Sequence, residues 1–234
     1  MSVDPVSFQD RYVEPRSRVT TFFRLILAIP HFIVLALWGF AVFFVVIAAW
    51  FALLFTGSWP QGMYDFTASY LRYSTYVYGY TFLLTDDYPP FNGNANDTYP
   101  VTVHVGPPKP EYDRIKVAFR IFLLIPVFII MYAMQLIYEI GAFLAWFAIV
   151  ILGRQPKGLQ DMIELGISYQ QRAYAYALLL SEDFPPFTSP QPALGEGAGP
   201  RSPLPPSPTT PAAPAAPEAP TSSSTGMTGG DPLS

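Results

Sequence analysis

One stretch, used twice, constrains this chain more than any other feature. The first copy is FFRLILAIPHFIVLALWGFAVFFVVIAAWFALLFTG, residues 22–57; the second is AFRIFLLIPVFIIMYAMQLIYEIGAFLAWFAIVILG, residues 118–153. Each carries an Arg near its start and a Pro six residues later, and closes on Ala-Trp-Phe-Ala and then a Gly. Runs of this length and apolarity find their natural solvent in a lipid bilayer. They also explain why only 13% of residues are charged, against about 25% in a soluble globular chain. The first run is too long for the core of a signal peptide, and its equivalent recurs in mid-chain, so it reads as mature structure.

The repeat extends well beyond the apolar runs, at a constant offset of 96. Arg18, Arg24, Pro30, Trp50, Gly57, Pro60, Asp65, Tyr73, Tyr80, Asp87 and Phe91 match Arg114, Arg120, Pro126, Trp146, Gly153, Pro156, Asp161, Tyr169, Tyr176, Asp183 and Phe187. In all, 25 of 74 aligned positions are identical without a gap. Many of the matches are Gly, Pro, Asp and Arg, so shared hydrophobicity does not account for them. The chain is a duplicated module. It divides into an arm (1–17), a first membrane module (18–91), a linker (92–113), a second module (114–187) and a tail (188–234).

Each module has three parts. The run from Leu25 to Phe55 is 31 residues, roughly 46 Å as one helix, against a hydrocarbon core of about 30 Å. Two forms fit: one long tilted or Pro-kinked helix, or a tight helical hairpin. Charge favours the hairpin, because two crossings per run put all 13 Lys and Arg on one side of the membrane. So does a gap-free repeat, which suits modules of equal orientation. A turn near residues 135–141, helped by Gly141, would also carry Gln135 and Glu139 to the far interface. Next come GSWPQGMYD and GRQPKGLQD, where Gly57 and Gly153 suit helix C-caps and Asp65 and Asp161 suit the start of another helix. That helix carries Phe66, Tyr70, Tyr73, Val77, Tyr80 and Leu84 on one face, a stripe suited to a membrane–water interface. Met162, Tyr169, Ala173, Tyr176 and Leu180 keep it more weakly. The alternative is a helix packed against soluble protein.

The paired prolines of TDDYPPF and SEDFPPF end each module. Residues 98–108 alternate and predict one short strand. The arm is expected to hold little regular structure. The Pro-, Ala-, Ser- and Thr-rich tail is expected to be disordered.

The blocks FFRLILAIPHFIVL, AWFALLFTGSWPQGMYDF and LLTDDYPPF resemble the bacterial membrane domain-of-unknown-function family 4389, over residues 18–91 and more loosely 114–187. His31 and Thr56 are replaced by Val127 and Leu152 in the second copy. The resemblance implies a bacterial integral membrane protein and no reaction. The expected fold is therefore all-α and membrane-embedded, with two tandem modules, each a long hydrophobic helix or hairpin plus an amphipathic interfacial helix. The expected location is the bacterial plasma membrane, with several passes and cytoplasmic termini.

Candidate sites are few. A net charge of −4 argues against a nucleic-acid partner, and the absence of Cys excludes thiolate chemistry and disulfides. Arg24 and Arg120 enter the apolar runs and suit anchoring with contact to lipid headgroups. Glu139, with Gln135, is either an intramembrane functional group or a carboxylate wetted at a turn. Phe43 stands where the first copy would have that acid, so no site needs it from both copies. His31 suits an interface better than a proton relay. Pro30, Pro126, Gly57, Gly153, Asp65 and Asp161 read as structural. No P-loop, nucleophile elbow or metal helix is present, and no cofactor is expected. The expectation is a non-enzymatic scaffold or accessory subunit whose partners are the bilayer and other membrane proteins. The alternative is a small transporter or channel component that uses Glu139.

Overall fold

The computed structural model describes residues 6–10, 17–96 and 98–185; the tail, and the last residues of the second module, lie outside them. The order is β1 (Val6–Gln9), α1 (Arg18–Thr56), α2 (Gln61–Thr81), β2 (Thr102–Val105), α3 (Arg114–Ala118), α4 (Arg120–Leu152) and α5 (Lys157–Ala177).

Each apolar run is one continuous helix and not the favoured hairpin. At 1.5 Å per residue α1 is about 58 Å long and α4 about 50 Å. Pro30 and Pro126 stand inside them on the exposed side. Each proline removes one ladder bond, and the helix continues on both sides of it. Gly141 is a contact residue, not a turn residue. A Cβ there would stand 2.7 Å from Met162 Cε and 3.0 Å from Ile163 Cγ1, so the missing side chain lets α5 lie close against α4.

The long helices run antiparallel in one layer. Phe22 near the start of α1 meets Trp146 near the end of α4, with ring centroids 6.2 Å apart. At the opposite end, Trp50 Nε1 donates to Val117 O at 3.0 Å and Tyr112 N donates to Gly57 O at 2.8 Å. A twofold relation between modules follows from this reciprocity. In a second layer α2 folds back along α1, and α5 along α4.

The aromatic stripe of α2 packs against α1 of its own module. Tyr73 and Val77 cluster with Leu35, Trp38 meets Phe66, Tyr70 and Tyr73 at 5.6–6.2 Å, and Gly39 leaves room for the Tyr70 ring. In the second module Tyr169, Ala173 and Tyr176 pack on Val127 and Met131. The other side of α2 carries Tyr76 and Gly79 against Tyr99 and Val101.

That side is covered by the sheet. The predicted strand forms as β2, and its partner β1 comes from the arm, where no structure was expected. The strands pair antiparallel, Val6 with Val105 and Phe8 with Val103. Val6, Phe8, Val101 and Val103 are buried, which gives the arm an apolar face to anchor. Ser7, Gln9 and His104 are only partly covered.

The helix ends are finished by residues 96 apart. Ser17 caps α1 and Asp113 caps α3 through their side-chain oxygens. Gly57 and Gly153 are the left-handed C-caps predicted for them, at φ 74° and 73°. Over each cap lies a guanidinium from the other module. Arg114 is 3.5 Å from the place of a Gly57 Cβ, and Arg18 is 3.0 Å from that of Gly153. A cation beside a helix C-terminus contributes about 0.3–1 kcal/mol. After α2 and α5 the chain turns through Leu83 and Leu179, non-glycine residues at φ 67° and 63°, with their side chains buried.

Candidate functional site

The two arginines expected at headgroups are turned inward, each 2% exposed. Arg24 donates from Nη1 to the carbonyls of Tyr80 and of Thr85 (2.6 Å for the latter), and from Nη2 to Asp86. Its guanidinium lies over the Tyr80 ring at 4.6 Å. Arg120 donates to Ser181 O at 2.9 Å and lies over Tyr176 at 3.8 Å. The acids beside them also hold the starts of the long helices, since Asp86 accepts from Ser17 N at 2.8 Å and Glu182 from Asp113 N at 2.6 Å. Tyr80, Thr85 and Asp86 correspond to Tyr176, Ser181 and Glu182, so both modules carry one staple. It binds the end of the shorter helix to the start of the longer one. Identity matching missed Asp86 and Glu182 because they differ by a methylene; charge matching at the same offset finds them.

Asp65 and Asp161 sit one turn deeper than a cap. The N-cap residues are Pro60 and Pro156, without side-chain bonds. Asp65 accepts from Gln61 Nε2 at 2.9 Å and Asp161 pairs with Lys157 at 3.6 Å, both i,i+4 contacts on the surface. Asp65 and Asp161 thus do not cap these helices. His31 is fully buried, not interfacial. Its Nδ1 is 2.7 Å from Tyr73 Oη and its ring stacks on Phe91 at 4.0 Å.

Glu139 and Gln135 lie elsewhere. Gln135 Nε2 donates to Glu139 Oε1 at 2.8 Å on the exposed side of α4. Glu139 lines a cleft of about 540 Å³ between the first half of α1, the end of α2 and the second half of α4. Thr21, Arg24, Leu25 and Phe32 form one wall, Thr81, Phe82 and Leu83 the floor, and Ala142, Phe143, Trp146 and Phe147 the other wall. The Thr21 and Thr81 hydroxyls are buried without hydrogen-bond partners. The cleft brings Glu139 into the company of Arg24, whose guanidinium is committed to its own staple. Gln135, Arg120 and His31 are not among its lining residues. Hydrophobic volume and a few polar groups suit binding an amphiphile. Among the described residues no group of three His, Asp or Glu is placed to hold a metal ion.

The surface around this cleft is apolar. Of the large hydrophobic residues that are exposed, nearly all belong to α1, α3 and α4 or to Phe119 between the last two; Phe66, Tyr88, Phe91 and Phe184 are the others. α1 and α4 are each long and apolar enough to cross a membrane.

A family model described as a domain of unknown function, DUF4389, matches the chain twice, at residues 18–92 and 114–189. No curated protein and no solved structure matches it.

Proposed function

The chain belongs to the DUF4389 family, in two tandem copies, and from that premise we propose a non-enzymatic scaffold or accessory subunit seated in a bacterial plasma membrane. The observation that carries this reading is the segregation of exposed apolar side chains onto the layer formed by α1 and α4. Both helices immerse that layer in lipid. The layer of α2 and α5, with the sheet on it, faces water and offers a polar surface to partner proteins.

The seat lies along the membrane and does not cross it. A crossing would carry α2, α5 and the two-stranded sheet into the bilayer beside α1. Open sheet edges do not survive in hydrocarbon, and α5 exposes Lys157 and Asp161. With the long helices in one leaflet, the charged residues at their ends, Arg18, Arg114, Arg154 and Lys157, reach the headgroups and the sheet stays wet. Both termini of the chain then lie on the cytoplasmic side.

Single-cysteine labelling tests this in a chain without native Cys. Ser58 and Arg154 follow the C-termini of antiparallel helices. Ser58→Cys and Arg154→Cys are expected to react with an impermeant maleimide from the same side, in inverted vesicles and not in intact cells. Labelling from opposite sides refutes the seat and establishes a crossing.

A second reading, a small transporter or channel component, is favoured by the Gln135–Glu139 pair beside the cleft. It requires Glu139→Gln to alter ion flux in proteoliposomes; unchanged flux removes it.

A further inference from the structure

The twofold relation gives each residue lining the cleft beside Glu139 a partner in the other half of the molecule, and several of these pairs differ. In that half Trp50 donates its indole N–H to Val117 O, Val46 packs into the core, and Phe43 stands where Glu139 would be. On the cleft side Trp146 lies against Phe22, Ala142 replaces Val46, and Thr21 replaces Val117. The cleft side thus has less bulk at positions 139 and 142 and a hydroxyl at position 21. Thr21 is 1% exposed and its Oγ1 has no hydrogen-bond partner. The cleft volume of about 540 Å³ falls within the roughly 300–1,000 Å³ of ligand sites.

We propose that this cleft binds one acyl chain of a bilayer phospholipid, with the Thr21 hydroxyl donating to its ester carbonyl and the Glu139 carboxylate facing an amine-bearing headgroup. The inference rests on the membrane seat proposed above, because the mouth opens among Leu25, Phe143 and Phe147, which are 68%, 64% and 44% exposed. An apolar cavity that opens onto lipid fills with the tails at its mouth. The ammonium follows from charge: Glu139 is an exposed acid on an apolar face, and an acid in lipid needs a cation.

The test is native mass spectrometry of the full-length protein, taken from mixed phosphatidylethanolamine and phosphatidylglycerol nanodiscs into mild detergent. The wild type is expected to retain one phospholipid, chiefly phosphatidylethanolamine. Thr21→Val with Ala142→Val gives the residue types of the other half, removes the hydroxyl and adds bulk at position 142, and is expected to lower retention roughly tenfold. Glu139→Gln leaves the cavity open and is expected to keep one lipid while losing the preference for the amine. Two outcomes overturn the proposal: wild type without bound lipid, or equal retention in the double variant. Equal headgroup preference in Glu139→Gln overturns the role of the acid. A carbonate wash of the same membranes separates this from failure of the seat. Release of the wild type by the wash sinks the seat, whereas retention in the membrane with no bound lipid sinks the cleft alone.

Discussion

Two glycines on α5 are expected to respond in opposite directions to the same substitution. At Gly166 an added Cβ would stand 2.9 Å from Tyr138 Cβ and 3.0 Å from both Met134 O and Tyr138 Cδ1. One of these neighbours is a backbone carbonyl of α4 and another is the root of a side chain, so neither swings away. Relief requires α4 and α5 to separate by several tenths of an ångström along a tightly packed seam. Overpacking of this kind costs about 1–3 kcal/mol, and the helix propensity gained from Ala offsets up to about 1 kcal/mol of it. The net loss is therefore about 1 kcal/mol, which for a chain of this size lowers Tm by about 2–4 °C. At Gly158, the second residue of α5, nothing lies within 4 Å of the new Cβ. Only the propensity gain remains, about 0.5 kcal/mol so near the helix end, with a rise of about 1–2 °C. The assay is thermal unfolding followed by circular dichroism, both variants in the detergent used for the wild type. A higher Tm for Gly166→Ala, or shifts of one sign for both variants, refutes the close packing of α4 on α5.

Arg24→Met is expected to destabilise by about 3 kcal/mol, since it strands a part-buried carboxylate and two carbonyls; Arg24→Lys is expected to restore little, because an ammonium cannot span all three acceptors. Denaturant unfolding in mixed micelles measures both. Gly153→Ala is expected to lose about 1–2 kcal/mol from the left-handed backbone alone, plus the displacement of Arg18, read as a lower thermal midpoint than that of Gly62→Ala. Burial, with Asp10 and Asp161 nearby, pushes the Glu164 carboxyl up to about 7 from 4.5. The folded state then holds this proton more tightly than the unfolded state, so stability falls as pH rises between about 4.5 and 7. Glu164→Gln is expected to raise Tm at pH 8, leave it unchanged near pH 4, and flatten the profile between.

Much of this fold was legible from residue spacing. The offset of 96 located both modules, the left-handed glycine caps and the four structural prolines and glycines, because those residues are matched by identity. The strand at 102–105 showed in its alternation. The hairpin expectation failed because charge distribution constrains the side of a membrane on which residues lie, not whether a helix bends; the packing of Gly141 against Met162 is a tertiary contact with no local signature. The aromatic stripe was correctly seen as one face, yet periodicity does not say what covers a face. Here Trp38 and Leu35 of the same module do. β1 escaped notice because Val6 and Phe8 are only two apolar positions in a polar arm, and their partner lies nearly a hundred residues away. Glu139 was singled out as a lone acid, but the cleft beside it depends on Ala142 and Thr21, whose significance appears only when the two halves are superposed.

Arg18 and Arg114 each close the last turn of the opposite module's long helix, and Trp50 reaches across to Val117. Neither half is complete by itself. Contacts exchanged in this reciprocal manner are those of an isologous dimer, so a single-copy ancestor would have satisfied them by pairing with itself. Within one chain, each half is free to differ from the other. A mutation in a homodimer strikes both sides of the axis at once, whereas in this chain one side carries Phe43 and Val46 and the other Glu139 and Ala142. Split between the modules and co-expressed, the halves are expected to find each other again.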